Sequence, residues 1–357
     1  MDKSETIELV KKFSNANGAP GFENEPAKIF DDYCQKFGET SIDTMQNAFC
    51  KFNGNTGNRP LVQIDAHEDS VGFIVQAIRP SGLIKFVPLG GVVPTNMPAS
   101  RVRVRNKNGD YLPGIISTKP PHFMTAAEKG KVPEIADMSI DVGTTSRQQT
   151  IEELQIDTGC PIVMDVTCQY YEYNDMFLGK DFDDRIGCAA VVKTLETLQR
   201  KKLDVDVIAA LSAQEEVGLR GAYVTARKIN PDVGIVFEGC PCDDTFEPDW
   251  LIQTGMGRGP MLRDMDTSFI ANPAFEEFSD QVATKLGIPH TRSVRTGGGV
   301  NGAAITYYNG VPTIVIGIPV RYEHTEYNWI KLSDLEDSVK LAVGIIEELN
   351  KEILESF

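Results

Sequence analysis

The stretch Val205-Asp206-Val207-Ile208-Ala209-Ala210-Leu211-Ser212-Ala213-Gln214-Glu215-Glu216-Val217-Gly218-Leu219 decides the fold. Its first seven residues form a short, almost wholly apolar run, as expected of a strand buried on both faces. Upstream, Ile186, Ala190, Val191, Thr194, Leu195 and Leu198 recur at helical spacing, and residues 219–229 downstream carry another helical pattern. The alternation continues with a strand over 233–237, a helix over 273–286 and a strand over 313–318. Ser333 and Glu336 read as a capping box opening a long amphipathic helix through Leu335, Val339, Ala342, Ile346, Leu349 and Ile353. This rhythm predicts an α/β fold, a sheet with helices on both faces.

Toward the N-terminus the pattern predicts helices over 7–13 and 26–37 and a strand over 61–66. After His67 the texture changes to short β-rich runs (72–78, 83–87, 100–105, 111–117) broken by Gly, Pro and Asn. The chain is therefore read as a discontinuous α/β domain, residues 1–69 and 169–357, carrying an inserted β-rich domain over 70–168. A length of 357 residues fits one domain enlarged by such an insertion.

Composition narrows the function. With 51 acidic against 35 basic residues the formal charge is −16, which disfavours nucleic acid and anionic lipid as partners. No apolar stretch approaches the roughly 20 residues of a membrane span, and the start Met1-Asp2-Lys3-Ser4-Glu5 lacks a signal-peptide pattern. Seven scattered cysteines read as reduced thiols, so a cytoplasmic address is expected.

The candidate chemistry lies where strands end. His67 closes the run Val62-Gln63-Ile64-Asp65-Ala66, and Asp69, two residues on, is positioned to accept its free ring N–H. Asp183 and Asp184 precede a helix, where capping is the plainer role. Glu215 and Glu216 follow the strand that opened this reading, Glu238 follows 233–237, and His324 follows 313–318 by a short loop. Open α/β sheets gather their sites along such an edge. Two His and several carboxylates are the inventory of a two-metal centre, with one carboxylate shared and another left to act as base.

These residues carry a resemblance. His67-x-Asp69, Asp183-Asp184-Arg185-x-Gly187, the run from Gln214 to Ala222 and Arg321-Tyr322-x-His324 resemble the tetrahedral or glutamyl aminopeptidases, a family of cocatalytic dinuclear metallopeptidases. In the inserted part Pro113-Gly114-x-Ile116, Lys119-Pro120-Pro121-His122 and Ile140-Asp141-Val142-Gly143 are similar to the family's small β-barrel. The resemblance implies a phosphorylase/hydrolase-like zinc peptidase domain with a mixed sheet, and a barrel insertion serving dimerisation and oligomerisation. It implies that His67, Asp183 and Glu238 bind one metal, and that Asp183 bridges to a second completed by Glu216 and His324. Glu215 would be the general base toward a metal-bound water, Asp69 would orient His67, and Arg321, Gly298 and Asn301 would contact substrate. The expected cofactors are two divalent ions, zinc foremost, with cobalt or manganese as alternatives. The expected partners are peptides and further copies of the chain, dimers assembling to a dodecamer.

The chain departs from the family at Glu238, where Asp is common, at Val300-Asn301 within Gly297-Gly298-Gly299-Val300-Asn301, and at Asn328, where Glu is common. Two other readings stand beside the peptidase: a metal-binding member with altered or lost activity, and an endoglucanase-like glycoside hydrolase using paired acids. Arg258, Arg263, Arg292, Arg295 and Arg321 are candidates for a bidentate grip on an acidic substrate side chain.

Overall fold

The computed structural model describes residues 2–357. The chain begins with α1 (Lys3–Asn15) and α2 (Asn24–Cys34), then β1 (Gly38–Ile42), β2 (Ala48–Phe52) and β3 (Leu61–His67). Next come β4 (Gly72–Ile78), β5 (Ile84–Leu89), β6 (Arg101–Arg105), β7 (Tyr111–Ser117), the one-turn helix α3 (Ala126–Lys129), β8 (Ser139–Asp141) and β9 (Pro161–Met164). The α/β rhythm resumes through β10 (Gln169–Tyr171), β11 (Met176–Gly179), α4 (Phe182–Leu198), β12 (Asp206–Ser212), α5 (Arg220–Ile229) and β13 (Val233–Pro241). It ends with β14 (Met261–Met265), α6 (Pro273–Leu286), β15 (Thr291–Val294), α7 (Asn301–Asn309), β16 (Thr313–Val320), β17 (Asn328–Lys331), α8 (Leu332–Glu348) and α9 (Lys351–Leu354).

Eight strands form one mixed sheet in the order β1-β2-β12-β3-β13-β16-β14-β15. Its centre, β12, β3, β13 and β16, is parallel, so four strand C-termini share one edge. Every residue of β16 and all but the last of β13 are buried, because helices cover both faces. On one side α1, α4, α6 and α8 bury Phe13, Ile186, Leu195, Phe275, Leu335 and Ile346 against the sheet. On the other, α5 and α7 close a smaller core around Ala226, Val236, Phe269, Ala303 and Val315. Each large aliphatic or aromatic group so buried contributes about 1.5–3 kcal/mol.

Between β3 and β10 the strands β4-β5-β8-β7-β6-β9 close into a barrel with its own core, in which Phe73 meets Phe86 edge-on at 5.1 Å. Closure removes the free sheet edges that an inserted antiparallel unit would otherwise expose.

Helix 273–286 is found as expected, with Asn272 accepting from the N–H groups of Ala274 and Phe275 and Gly287 ending it in the left-handed region. Three expectations change. The strand expected over 233–237 continues to Pro241, because β16 pairs with it up to Val320, so Glu238 lies within the strand. The capping box at Ser333 and Glu336 does not form: α8 starts directly from β17 at Leu332, which places Ser333 inside the first turn. The long helix also stops at Glu348, where Leu349 is extended and Asn350 caps the separate α9.

Glu276 on α6 is 1% exposed, and neither carboxylate oxygen has a hydrogen-bond partner. Burial, reinforced by Asp264, pushes its carboxyl up to about 8. The folded state therefore holds a proton that the unfolded state releases near pH 4.5, and stability contributed here falls as pH rises from there toward 8. Glu276→Gln is expected to raise Tm at pH 8 by about 2–5 °C and to leave it little changed at pH 4, in a thermal-melt series across that range. An equal shift at both pH values would contradict this.

Candidate active site

Beyond the C-terminal ends of the parallel strands lies a cavity of about 590 Å³ whose wall includes Asp183, Glu215, Glu216, Glu238 and His324. His67, at the last position of β3 and 1% exposed, stands behind this wall against Asp183. Asp183 approaches across β13, and only glycine permits that approach: a Cβ at residue 239 would stand 2.7 Å from the Asp183 Cα.

Asp183 is the centre of the arrangement. Its Oδ1 lies 2.9 Å from Nε2 of His67, and its Oδ2 lies 3.1 Å from Nε2 of His324. Glu238 Oε1 stands 3.3 Å from the same nitrogen of His67, and Glu216 Oε2 stands 3.5 Å from that of His324. Two groups of possible ligands result, His67–Asp183–Glu238 and Asp183–Glu216–His324, joined through Asp183. Within each, ligand atoms lie within 4.8 Å of one another, a spacing that suits a cation among them. Glu216 Oε1 and Glu238 Oε2 are buried without a partner, as expected of oxygens awaiting one. The donor set of imidazole and carboxylate suits zinc, cobalt and manganese.

Without cations the crowded charges displace one another's protons. Burial and the neighbouring Asp183 push Glu216 up to about 8, and burial pushes Glu238 up to about 7 against the pull of His67. His324 is raised to about 10: burial opposes its charge, but the Asp183 hydrogen bond and Glu216 outweigh it. Asp183 is held below the usual carboxylate range, its burial outweighed by His324 and His67. Two dications would invert this balance, since they favour ionised acids and neutral imidazoles.

Residues behind the ligands fix their aim. His67 Nδ1 lies 3.1 Å from the backbone oxygen of Asp69 and 3.5 Å from its carboxylate. That carboxylate instead accepts the backbone N–H groups of Glu215 at 2.8 Å and Glu216 at 3.1 Å, because β3 has ended at His67 and Asp69 has turned toward the loop after β12. Glu23 accepts from Gln214 N–H in the same loop. Asp184 takes the capping role considered for the pair, accepting from Gly187 N–H at 3.0 Å and from His67 N–H at 3.2 Å. Asp183 is thereby left free of capping. Glu215 belongs to neither ligand group and lines the cavity.

Of the expected substrate contacts, Gly298 lines the cavity in a left-handed conformation. Arg321 instead donates to both carboxylate oxygens of Asp244, at 3.0 and 2.7 Å, and is not part of the cavity wall. Asn301 is fully buried at the start of α7, where it donates to Asp65. Arg263 and Arg295 do line the cavity, whereas Arg292 is paired with Asp264. Cys240, beside Glu238 in sequence, accepts from Arg263 and lies outside both ligand groups. The sequence reading did not single out Glu323, or Gly91 from the barrel, yet both line the cavity. The Arg-Tyr-Glu-His string held the signal for Glu323.

A family model described as M42 glutamyl aminopeptidase matches residues 46–341. The lysyl aminopeptidase of Pyrococcus furiosus is 30% identical over 96% of this chain and 97% of its own. A TET aminopeptidase from the marine sediment archaeon Thaumarchaeota archaeon SCGC AB-539-E09 is 34% identical, with a TM-score of 0.94 over 99% of both chains. The TET1 peptidase of Pyrococcus horikoshii, described as able to assemble into a tetrahedron or a large octahedral shell, is 26% identical, with a TM-score of 0.86 over 96% of this chain and 100% of that one. The chain belongs to the M42 glutamyl aminopeptidase family and is a metal-dependent peptide hydrolase of the aminopeptidase kind.

Proposed function

We propose that the cavity is a dinuclear peptidase centre, with His67, Asp183 and Glu238 holding one divalent cation and Asp183, Glu216 and His324 holding a second. The observation that carries this reading is the shared carboxylate, whose two oxygens face two different histidines. Zinc is the first choice on ligand chemistry, with cobalt and manganese as alternatives. Such cations would polarise the scissile carbonyl and lower the pKa of a water toward about 7.

The protein's own residues do the rest. Glu215 takes a proton from the attacking water as it adds to the peptide carbonyl, then delivers one to the amine nitrogen as the C–N bond breaks. Its freedom from the ligand groups, together with its place in the cavity wall, supports that role. Asp69 holds the backbone of Glu215 and Glu216 so that neighbours in sequence serve different roles. Acetal cleavage by two carboxyls alone would have no use for His67 and His324 between the acids. Intact Glu215 argues against a scaffold that has lost activity.

By analogy with the Pyrococcus horikoshii TET1 assemblies, one of them described as a dodecamer, we also propose a homo-oligomer built through the barrel, dodecameric in its full form, that admits peptides. All seven cysteines are free thiols, which supports a cytoplasmic address. No helix among the described residues is long and apolar enough to cross a membrane.

Dialysis against a chelator is expected to abolish hydrolysis of aminoacyl anilides, and zinc, cobalt or manganese to restore it; undiminished activity in metal-free protein would contradict the reading. Glu215→Gln is expected to keep full metal content and lose roughly 10²–10⁴ in kcat, whereas Glu216→Ala loses one cation per chain by elemental analysis. Equal metal loss in both would refute this division of roles. Asp69→Asn, which presents an amide to two N–H donors, is expected to lower kcat/KM about 10–100-fold; an unchanged value would show that the loop holds itself.

A further inference from the structure

Glu323 has no assigned work in this scheme, yet its placement is strongly determined. The turn after β16 holds Tyr322 at φ 64° and His324 at φ 56°, both in the left-handed region that side chains other than glycine rarely occupy. Asn328 secures it by donating to the backbone oxygens of Tyr322 and Thr325, and Thr325 Oγ1 donates to those of Tyr322 and Tyr327. The consequence is that consecutive side chains, Glu323 and His324, both line the cavity. Glu323 Oε2 is shut away from solvent with no hydrogen-bond partner. A carboxylate so placed costs several kcal/mol unless a cation meets it.

The charges in the cavity identify that cation. On the reading above, Asp183, Glu216 and Glu238 serve as metal ligands and Glu215 as the base toward water, so of the acids lining the cavity only Glu323 remains uncommitted. The two guanidinium groups in the cavity wall are already engaged: Arg263 donates to Asp266 and Cys240, and Arg295 pairs with Asp243. An aminopeptidase substrate brings a positive N-terminus to within two bonds of the scissile carbonyl carbon, close to two dications that repel it. We propose that Glu323 binds the substrate's free N-terminal ammonium, accepting its N–H and thereby restricting cleavage to the first residue. This inference rests on the dinuclear reading and adds to it the means by which the site recognises a chain end.

Two inhibitors separate the possibilities in the metal-loaded full-length protein: an aminoacyl hydroxamate and its des-amino counterpart, which differ only in the ammonium. In Glu323→Gln the aminoacyl compound is expected to weaken at least roughly 30-fold, the loss typical of removing one partner of a buried charge pair. The des-amino compound should stay within about twofold, metal content should be unchanged, and Glu323→Asp should recover part of the difference. Equal weakening of both inhibitors, or of neither, would overturn the proposal, as would loss of metal from the Gln variant. Failure of the wild-type protein to bind metal and either hydroxamate would instead overturn the dinuclear reading itself.

Discussion

A single buried carboxylate, shared between two histidines, is the constraint on which the site depends. Asp183 can offer one oxygen to His67 and the other to His324 only because α4 begins directly against β13, where Gly239 leaves room for its backbone. Asp184 relieves it of the capping duty that an acid at a helix start ordinarily performs. The sheet brings in the other site residues through topology: β3, β12, β13 and β16 run parallel, so His67, the Glu215-Glu216 loop, Glu238 and the His324 turn meet at one edge.

The stability required to hold so many acids together comes from elsewhere in the molecule. Asp69 and Glu23, both buried, secure the loop after β12 through its backbone N–H groups, so the aim of Glu215 and Glu216 is fixed from the N-terminal segment. The barrel contributes as well. Gly90 and Gly91, between β5 and β6, lie against Glu216 and His324, and a Cβ at Gly91 would come within 3.4 Å of the His324 ring. The inserted barrel therefore also forms part of the cavity wall. Part of the acidic surplus of the sequence is local to this cavity, where Asp183, Glu216 and Glu238 gather with Glu215 and Glu323.

Much of this was legible in residue order because the central strands are long, apolar and bounded by their functional residues. The helix at Pro273–Leu286 and the barrel strands at Gly72–Ile78 and Tyr111–Ser117 were expected at those positions. The edge strands were not: β1 is polar and mostly exposed, and β15 is four residues with alternate burial, so neither carries an apolar signal. Helix α8 misled for a different reason, since a strand feeding directly into it made the Ser333–Glu336 signature irrelevant. Within the site, strand-end position pointed to His67, Glu215, Glu216 and His324, whereas Asp183 stands at the start of α4 and Glu238 inside β13. The partners of Asp69, Arg321 and Asn301 were hidden because they lie far away in sequence: Glu215 and Glu216 for the first, Asp244 for the second, Asp65 for the third.

The central claim is that Asp183 is shared by two cations. Anomalous diffraction at the metal edge, on crystals of the zinc- or cobalt-loaded protein, tests it most directly. The expected result is two peaks per chain roughly 3.5–4 Å apart, one beside His67 and Glu238 and the other beside Glu216 and His324, with an Asp183 oxygen on each. A single peak, or two peaks of which only one touches Asp183, would contradict it.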